Sequence, residues 1–153
     1  MDKQPVSAAE KARAFFLQGY NCSQSVAAAF ADVMGLTEEQ AARMASALGG
    51  GLCRMRESCG AVTGAMLVLG ALQGYGRPDD AAKAALYARG QRVLRAFRDL
   101  HGSLRCREIL HLPPDQESGP VPTPRTAAFY QSRPCAQVIY DAARLLEEEL
   151  HRA

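Results

Sequence analysis

Cysteine is the residue type in this chain whose number and placement point to chemistry. Five cysteines occur in 153 residues, and this odd count argues against a fixed disulfide framework and favours metal binding or redox chemistry. Four of them fall in the first turns of separate predicted helices: Cys22, Cys59, Cys106 and Cys135. Unpaired backbone N–H groups and the helix dipole favour negative charge at such positions. Each of the four is therefore suited to holding a thiolate.

Arginine stands close in sequence to three of these four cysteines. The neighbours are Arg54 and Arg56 before Cys59, Arg105 and Arg107 around Cys106, and Arg133 before Cys135. A cation beside a helix start can lower a thiol pKa from about 8.5 to about 4–7. Arginine is also common in a chain with 18 basic residues, and cysteine tolerates helix starts, so one such coincidence would indicate only a structural cysteine. Four together favour chemistry.

Four thiols from four helices can serve three different functions. The first is thiol/disulfide exchange, which would make the protein a thiol-dependent oxidoreductase. Cys59 would then be the most activated thiolate, and Cys22, Cys106 or Cys135 would be its resolving partner. The Cα atoms of two cysteines that form a disulfide must lie within about 7 Å of each other. The second is a four-thiolate site for zinc, iron or an iron–sulfur cluster, which requires that all four sulfurs converge. The third is a helical interaction module whose cysteines only pack. We expect the four helix N-termini to meet in one thiol-rich site and favour redox or electron-transfer chemistry there, with the choice between dithiol exchange and bound metal left open.

Two further ligand sites are compatible with the sequence. His101 and His111 each lie five residues from a cysteine and could add ligands to a transition metal, although His101 is more typical of a helix C-terminus and His111 of the surface. The loop 49–51 consists of three glycines and could bind an anion together with Arg54 and Arg56. It lacks the lysine and the spacing of a P-loop.

The second of the four cysteines opens the most apolar segment of the chain. Ser58 is a candidate cap, Cys59 would lie in the first turn, and the residues up to Leu72 are apolar on every side. This pattern predicts a buried central helix. Gly60 and Gly64 lie four residues apart on one face, where another helix can approach closely.

Capping signals and helical periodicity predict the elements that must hold the other thiols. The predicted helices cover residues 7–17, 22–34, 37–48, 79–100, 103–110 and 134–150. Prolines and weak periodicity at about 112–132 predict an irregular surface excursion. The chain has no strand-like alternation, so we expect one all-α domain over residues 1–153, a bundle of about five main helices plus short ones. On the long helix we expect Ala81, Ala84, Ala85 and Ala88 to line the buried side. The apolar, alanine-rich faces of the chain exceed what one small bundle must bury, which favours a homodimer.

Composition excludes several classes of protein. The formal net charge is +2, which is too balanced for binding to nucleic acid or to an anionic membrane. The longest apolar stretch, residues 65–72, is far shorter than the roughly 20 residues that span a bilayer. The N-terminal residues 1–6 lack the apolar core of a signal peptide. We expect a soluble, cytoplasmic protein without membrane insertion that works with a redox partner.

Several motifs together resemble one known family. They are Asn21-Cys22-Ser23-Gln24-Ser25-Val26, Leu48-Gly49-Gly50-Gly51, Cys59-Gly60-Ala61-Val62-Thr63-Gly64 and two later single cysteines. The combination is similar to the C_GCAxxG_C_C family and extends over almost the whole chain. The resemblance implies a redox-active protein of about this length with four characteristic cysteines. These map to Cys22, Cys59, Cys106 and Cys135, the last two by order and spacing.

The resemblance also bears on cofactors. Domains similar to this family occur beside haem and iron–sulfur centres in some electron-transfer proteins, so the resemblance allows such a cofactor. The motif Cys-x-x-Cys-His is absent, which argues against covalently attached haem. Cys53 departs from the family pattern, which has a small residue such as glycine there, and we interpret it as an incidental or auxiliary thiol.

Overall fold

Nine α-helices follow one another in the computed structural model, which describes residues 6–152. They are α1 (Ala8–Leu17), α2 (Cys22–Ala29), α3 (Ala31–Met34), α4 (Glu38–Ala45), α5 (Gly60–Gln73), α6 (Asp80–His101), α7 (Cys106–Ile109), α8 (Ala127–Ser132) and α9 (Cys135–Leu150). This described part contains no strand, which confirms the all-α class, and six of its helices have eight or more residues where about five main helices were predicted. Residues 1–5, over which the signal-peptide argument extends, and Ala153 lie outside the described residues.

The helix starts match the caps that the sequence indicates. Asn21 and Gln24 form a complete capping box at α2, and Thr37 and Gln40 form another at α4. Ser7 accepts a hydrogen bond from the third residue of α1 at 3.1 Å. A cap of this kind contributes about 1 kcal/mol. Local sequence therefore fixes where these helices begin.

The helix α5 is the central element of the bundle. It packs against α2, α6 and α9, while α1 packs against α2 and α9. A Cβ added at Gly64 would lie 2.8 Å from the carbonyl oxygen of Ser23, so glycine at this position is what lets α2 and α5 approach closely. The hydroxyl of Ser23 donates to the Ala45 carbonyl at 2.7 Å. This bond fixes α4 to the same side of α2.

Three details differ from the sequence-based expectation. The helix predicted for 22–34 breaks at Phe30, whose backbone (φ −108°, ψ 12°) separates α2 from α3. The excursion at 112–132 is irregular only as far as Thr126, which caps α8 by accepting from the Phe129 amide at 3.1 Å. The alanines at 81, 84, 85 and 88 are exposed. They are exposed because burial along α6 begins only at Gly90, where the helix meets α5.

No helix within the described residues is both long enough and apolar enough to cross a membrane.

Candidate functional site

The four cysteines singled out in the sequence meet at one cavity. Cys22, Cys106 and Cys135 are the first residues of α2, α7 and α9, and Cys59 immediately precedes α5. All four line a cavity of about 580 Å³. Residues up to 113 positions apart in the chain (22 to 135) are thus brought to one place by the packing of helix N-termini. All five cysteines of the chain are free thiols.

Cys59 is held differently from the prediction. It occupies the N-cap position of α5 rather than the first turn, and Ser58 does not cap the helix but forms an isolated antiparallel bridge with Arg105. The backbone amides of Cys59 and Cys106 each donate a hydrogen bond of 2.7 Å across this bridge. The bridge therefore holds the two thiol-bearing segments side by side.

Glycines make the close approach of these segments possible. A Cβ added at Gly60 would lie 3.1 Å from the Cβ of Cys22, and one added at Gly51 would lie 2.7 Å from the Cβ of Cys106. Ordinary side chains would separate the segments at both positions. Gly51 also has a φ of +69°, a conformation that L-residues rarely adopt.

Cys22 and Cys135 behave as a pair. The pKa of Cys135 is lowered to about 7. The largest cause is a side-chain hydrogen bond with Cys22. Burial acts in the opposite direction, and the positive charges of Arg133, Arg125 and Arg56 lower the pKa further. The same hydrogen bond, together with burial, raises the pKa of Cys22 well above its ordinary value. At neutral pH, Cys135 therefore has substantial thiolate character and Cys22 remains a thiol.

The prediction that Cys59 is the most activated thiolate is wrong. The residue is 5% exposed, and burial raises its pKa to about 12, although the backbone amides of Ala61 and Val62 act in the opposite direction. Desolvation of the anion outweighs the favourable field of the helix start. The position of a thiol at a helix N-terminus is thus insufficient to activate it.

The two remaining cysteines differ sharply in exposure. Cys106 is 8% exposed, and its sulfur accepts a hydrogen bond of 3.6 Å from Nη1 of Arg56. Cys53 is exposed at the cavity rim, and its thiol donates to the Ala47 carbonyl at 3.4 Å. Its assignment as an auxiliary thiol stays a prediction.

Four arginines line the same cavity: Arg54, Arg56, Arg125 and Arg133. The sequence singles out three of them but not Arg125, which comes from the proline-rich excursion. Its guanidinium donates to the carbonyls of Phe16 at 2.8 Å and Tyr20 at 3.0 Å and lies 4.3 Å from the centre of the Phe16 ring. Because these partners are more than 100 positions away in the chain, no local pattern could have revealed its role.

An unusual backbone segment presents two of these arginines. Five consecutive residues have left-handed backbone conformations with φ of +49° to +69°: Gly50, Gly51, Leu52, Cys53 and Arg54. Arg56 follows with φ of +61°. Such a conformation costs an ordinary residue about 1–2 kcal/mol, so packing and long-range bonds must hold the segment. The amide of Arg56 donates to the Gly50 carbonyl at 3.1 Å, and that of Glu57 to Gly51 at 2.8 Å.

The histidines lie elsewhere. His101 is the last residue of α6, and its Nε2 lies 2.9 Å from Oδ2 of Asp141. His111 is exposed, and neither histidine lines the cavity. Across residues 6–152, no group of three or more His, Cys, Asp or Glu side chains is arranged to hold a metal ion.

Comparison with known proteins yields one match. A family model described as "Putative redox-active protein (C_GCAxxG_C_C)" matches residues 20–149. This range includes every cysteine and every arginine of the cavity. No curated protein matches the chain, and no solved structure does.

Proposed function

Because the chain belongs to the C_GCAxxG_C_C family, which is described as redox-active, we propose that it performs thiol/disulfide exchange through Cys22 and Cys135. The observation that carries the proposal is the pair itself, in which one sulfur has a pKa of about 7 and the pKa of its hydrogen-bonded neighbour is raised. A thiol with a pKa close to the ambient pH is the best attacking group in disulfide exchange. Cys135 is the nucleophile, and Cys22 is the resolving thiol.

The exchange proceeds in two steps with a substrate disulfide. The Cys135 thiolate attacks one substrate sulfur, a new S–S bond forms, the substrate bond breaks, and one thiolate leaves. Cys22 then gives up its proton to the released thiolate and attacks the sulfur of Cys135, which releases the second substrate thiolate. Two electrons pass to the substrate, and the protein keeps a Cys22–Cys135 disulfide. An external dithiol reductant, the redox partner, restores the starting state.

The pairing also prepares the second step. The largest cause of the raised pKa of Cys22 is its hydrogen bond with Cys135. In the mixed disulfide Cys135 carries no negative charge, so this bond no longer holds the Cys22 proton. Cys22 therefore ionises more easily once the first step has occurred. Accessibility favours the same assignment, because Cys22 and Cys135 are half-buried whereas Cys59 and Cys106 are buried.

The proposal is tested with 2-hydroxyethyl disulfide, an uncharged substrate. The wild-type protein should reduce it and lose two titratable thiols, which dithiothreitol restores. Cys135→Ser should abolish the reaction, while the matched control Cys53→Ser, which removes an exposed thiol outside the pair, should keep it. Equal rates in the wild type and Cys135→Ser would overturn the proposal.

The four-thiolate alternative gives a different result in a second measurement. Dithiol exchange expects Cys22 and Cys135 to titrate as free thiols after anaerobic purification. Iron or zinc in stoichiometric amount, with an absorption spectrum that disappears in Cys22→Ser, would replace exchange by a metal or iron–sulfur centre.

A further inference from the structure

The cavity beside the thiol pair has an unbalanced charge. Its lining includes four arginines and no aspartate or glutamate. Within residues 6–152, none of these arginines forms an ion pair. Arginine remains charged under all ordinary conditions, and charged side chains are almost never fully buried unless they are paired. Apart from the Cys135 thiolate, the cavity therefore has no anionic group of its own to pair with these arginines.

Arg56 makes this imbalance most evident. It is 4% exposed, and its guanidinium bonds to no carboxylate, donating from Nε to Oγ of Ser118 at 3.1 Å and from Nη1 to the sulfur of Cys106 at 3.6 Å. Arg54 donates from Nε to the Gly119 carbonyl at 2.7 Å. Among the described residues, no hydrogen bond uses Nη2 of either arginine, so both retain donors for a ligand.

The two arginines also repel each other. Burial and then the positive charges of Arg56 and Arg133 lower the pKa of Arg54. A bound anion would relieve this repulsion. The planar guanidinium has a donor geometry that matches a carboxylate, so paired arginines favour carboxylate recognition.

The rest of the lining indicates what kind of anion fits. The volume of about 580 Å³ lies in the range of small-molecule sites. Apolar groups contribute to the wall: Phe16, Ile109, Phe129 and Val138. An organic molecule with an apolar part and a carboxylate matches this surface better than an inorganic ion does.

We propose that the substrate of the exchange is a small organic disulfide bearing carboxylates, bound with a carboxylate on Arg54 and Arg56 and with its S–S bond at Cys135. This inference rests on the function proposed above and adds the class of substrate. Binding by the arginines places the negative part of the substrate where the protein has unpaired positive charge. It leaves the sulfurs of the substrate beside the reactive thiol.

The first test compares three small disulfides of different charge at pH 7: 3,3′-dithiodipropionate, 2-hydroxyethyl disulfide and cystamine. Each rate constant is divided by that of free 2-mercaptoethanol with the same disulfide, which removes intrinsic reactivity. The dicarboxylate should react at least tenfold faster than the neutral disulfide, and the diammonium compound should react slowest. Equal normalised rates would overturn the inference, and continued reduction of the neutral disulfide would leave the proposed function standing.

Substitution of Arg54 tests the assigned contact. Arg54 is not among the arginines that lower the pKa of Cys135, so Arg54→Gln should slow the reaction with the dicarboxylate far more than the reaction with the neutral disulfide. The rate with the dicarboxylate should fall about tenfold to hundredfold, the loss typical of a hydrogen bond to a charged group. Arg98→Gln removes the same charge from an exposed site on α6 and should change neither rate. An equal loss of rate with the dicarboxylate in both variants would show that net charge alone causes the effect and would overturn the assigned contact.

A binding measurement separates recognition from redox chemistry. Suberate has the length of dithiodipropionate but no sulfur, and calorimetry with Cys135→Ser should detect its binding, weakened about tenfold by the further Arg54→Gln change. Failure of suberate to bind would overturn the inference regardless of the exchange activity. Displacement of suberate by an equal concentration of inorganic phosphate would identify a general anion site and would also overturn it. Binding of suberate by a wild type that reduces no disulfide would instead refute the proposed function.

Discussion

Replacing Cys22 by alanine should raise the pKa of Cys135. The hydrogen bond from Cys22 is the largest of the effects that lower this pKa to about 7. Without it, burial opposes only the arginine charges, and the pKa moves toward its ordinary value of 9.0. Cys22→Ser is the matched control, because its hydroxyl group can donate the same hydrogen bond.

The size of the effect on reactivity follows from two opposing changes. At pH 7, a thiol with a pKa of about 7 is about half ionised, whereas one at 9.0 is about 1% ionised, roughly a fiftyfold difference. The thiolate of higher pKa is intrinsically the better nucleophile, by about six- to tenfold for a Brønsted slope of about 0.4–0.5. The complete shift therefore slows Cys135 about five- to eightfold at pH 7. At pH 9.5 the alanine variant should react faster than the wild type.

The assay is the rate of alkylation of Cys135 by iodoacetamide between pH 5.5 and 9.5, followed by mass spectrometry of the Cys135 peptide. The wild-type rate should rise with pH, with an inflection near 7, and level off above it. The inflection should move upward in Cys22→Ala and less in Cys22→Ser. An inflection near 7 in Cys22→Ala would refute the reasoning, because the arginines alone would then explain the low pKa.

Three further predictions concern the other buried groups. At pH 7, iodoacetamide should leave Cys59 unmodified while Cys135 reacts, since burial raises the pKa of Cys59 to about 12; comparable rates would contradict this. Gly51→Ala should lower the free energy of unfolding by about 1–3 kcal/mol, because its Cβ would overlap neighbouring backbone and its φ is positive. Gly70→Ala, where an added Cβ meets nothing, should stabilise α5 by up to about 1 kcal/mol. Urea denaturation measures both changes. Hydrogen bonding to an arginine of α6 lowers the pKa of Glu149. The ionised Glu149 carboxylate therefore contributes to the free energy of unfolding above the ordinary carboxyl pKa, and this contribution is lost as the pH falls through the lowered pKa. Glu149→Gln should therefore cost about 1–3 kcal/mol at pH 7 and less below pH 4, whereas Glu148→Gln, at an exposed pair, should cost little at either pH.

Local signals explain most of what the sequence predicts correctly. The capping boxes that begin with Asn21 and Thr37 involve residues three apart, so they can be identified without knowledge of the fold. The box at Asn21 also places Cys22 at the start of its helix, and Pro134 indicates the helix start that carries Cys135. The helix predicted for 103–110 begins only at Cys106, where α7 starts. The convergence of the four thiols on one cavity is predicted too, and the packing of α2, α5 and α9 produces it.

Long-range effects explain what the sequence does not predict. The order of acidity among the thiols depends on burial, which no local pattern reports, so the sequence alone predicts the wrong thiolate in Cys59. The hydrogen bonds of Arg125 to the carbonyls of Phe16 and Tyr20 join residues more than 100 positions apart. The left-handed segment from Gly50 to Arg54 contains three non-glycine residues in a conformation that sequence propensities exclude. Its geometry depends on hydrogen bonds that only the folded chain can form.

Identification of the disulfide that forms on oxidation tests the dithiol most directly. The reduced Cys53→Ser protein, which lacks the exposed thiol, is treated under native conditions with 2-hydroxyethyl disulfide, digested without reduction and analysed by mass spectrometry. We expect a peptide pair linked through Cys22 and Cys135, which dithiothreitol separates. A link between Cys59 and Cys106, or a stable mixed disulfide at Cys135 that Cys22 never resolves, would contradict it.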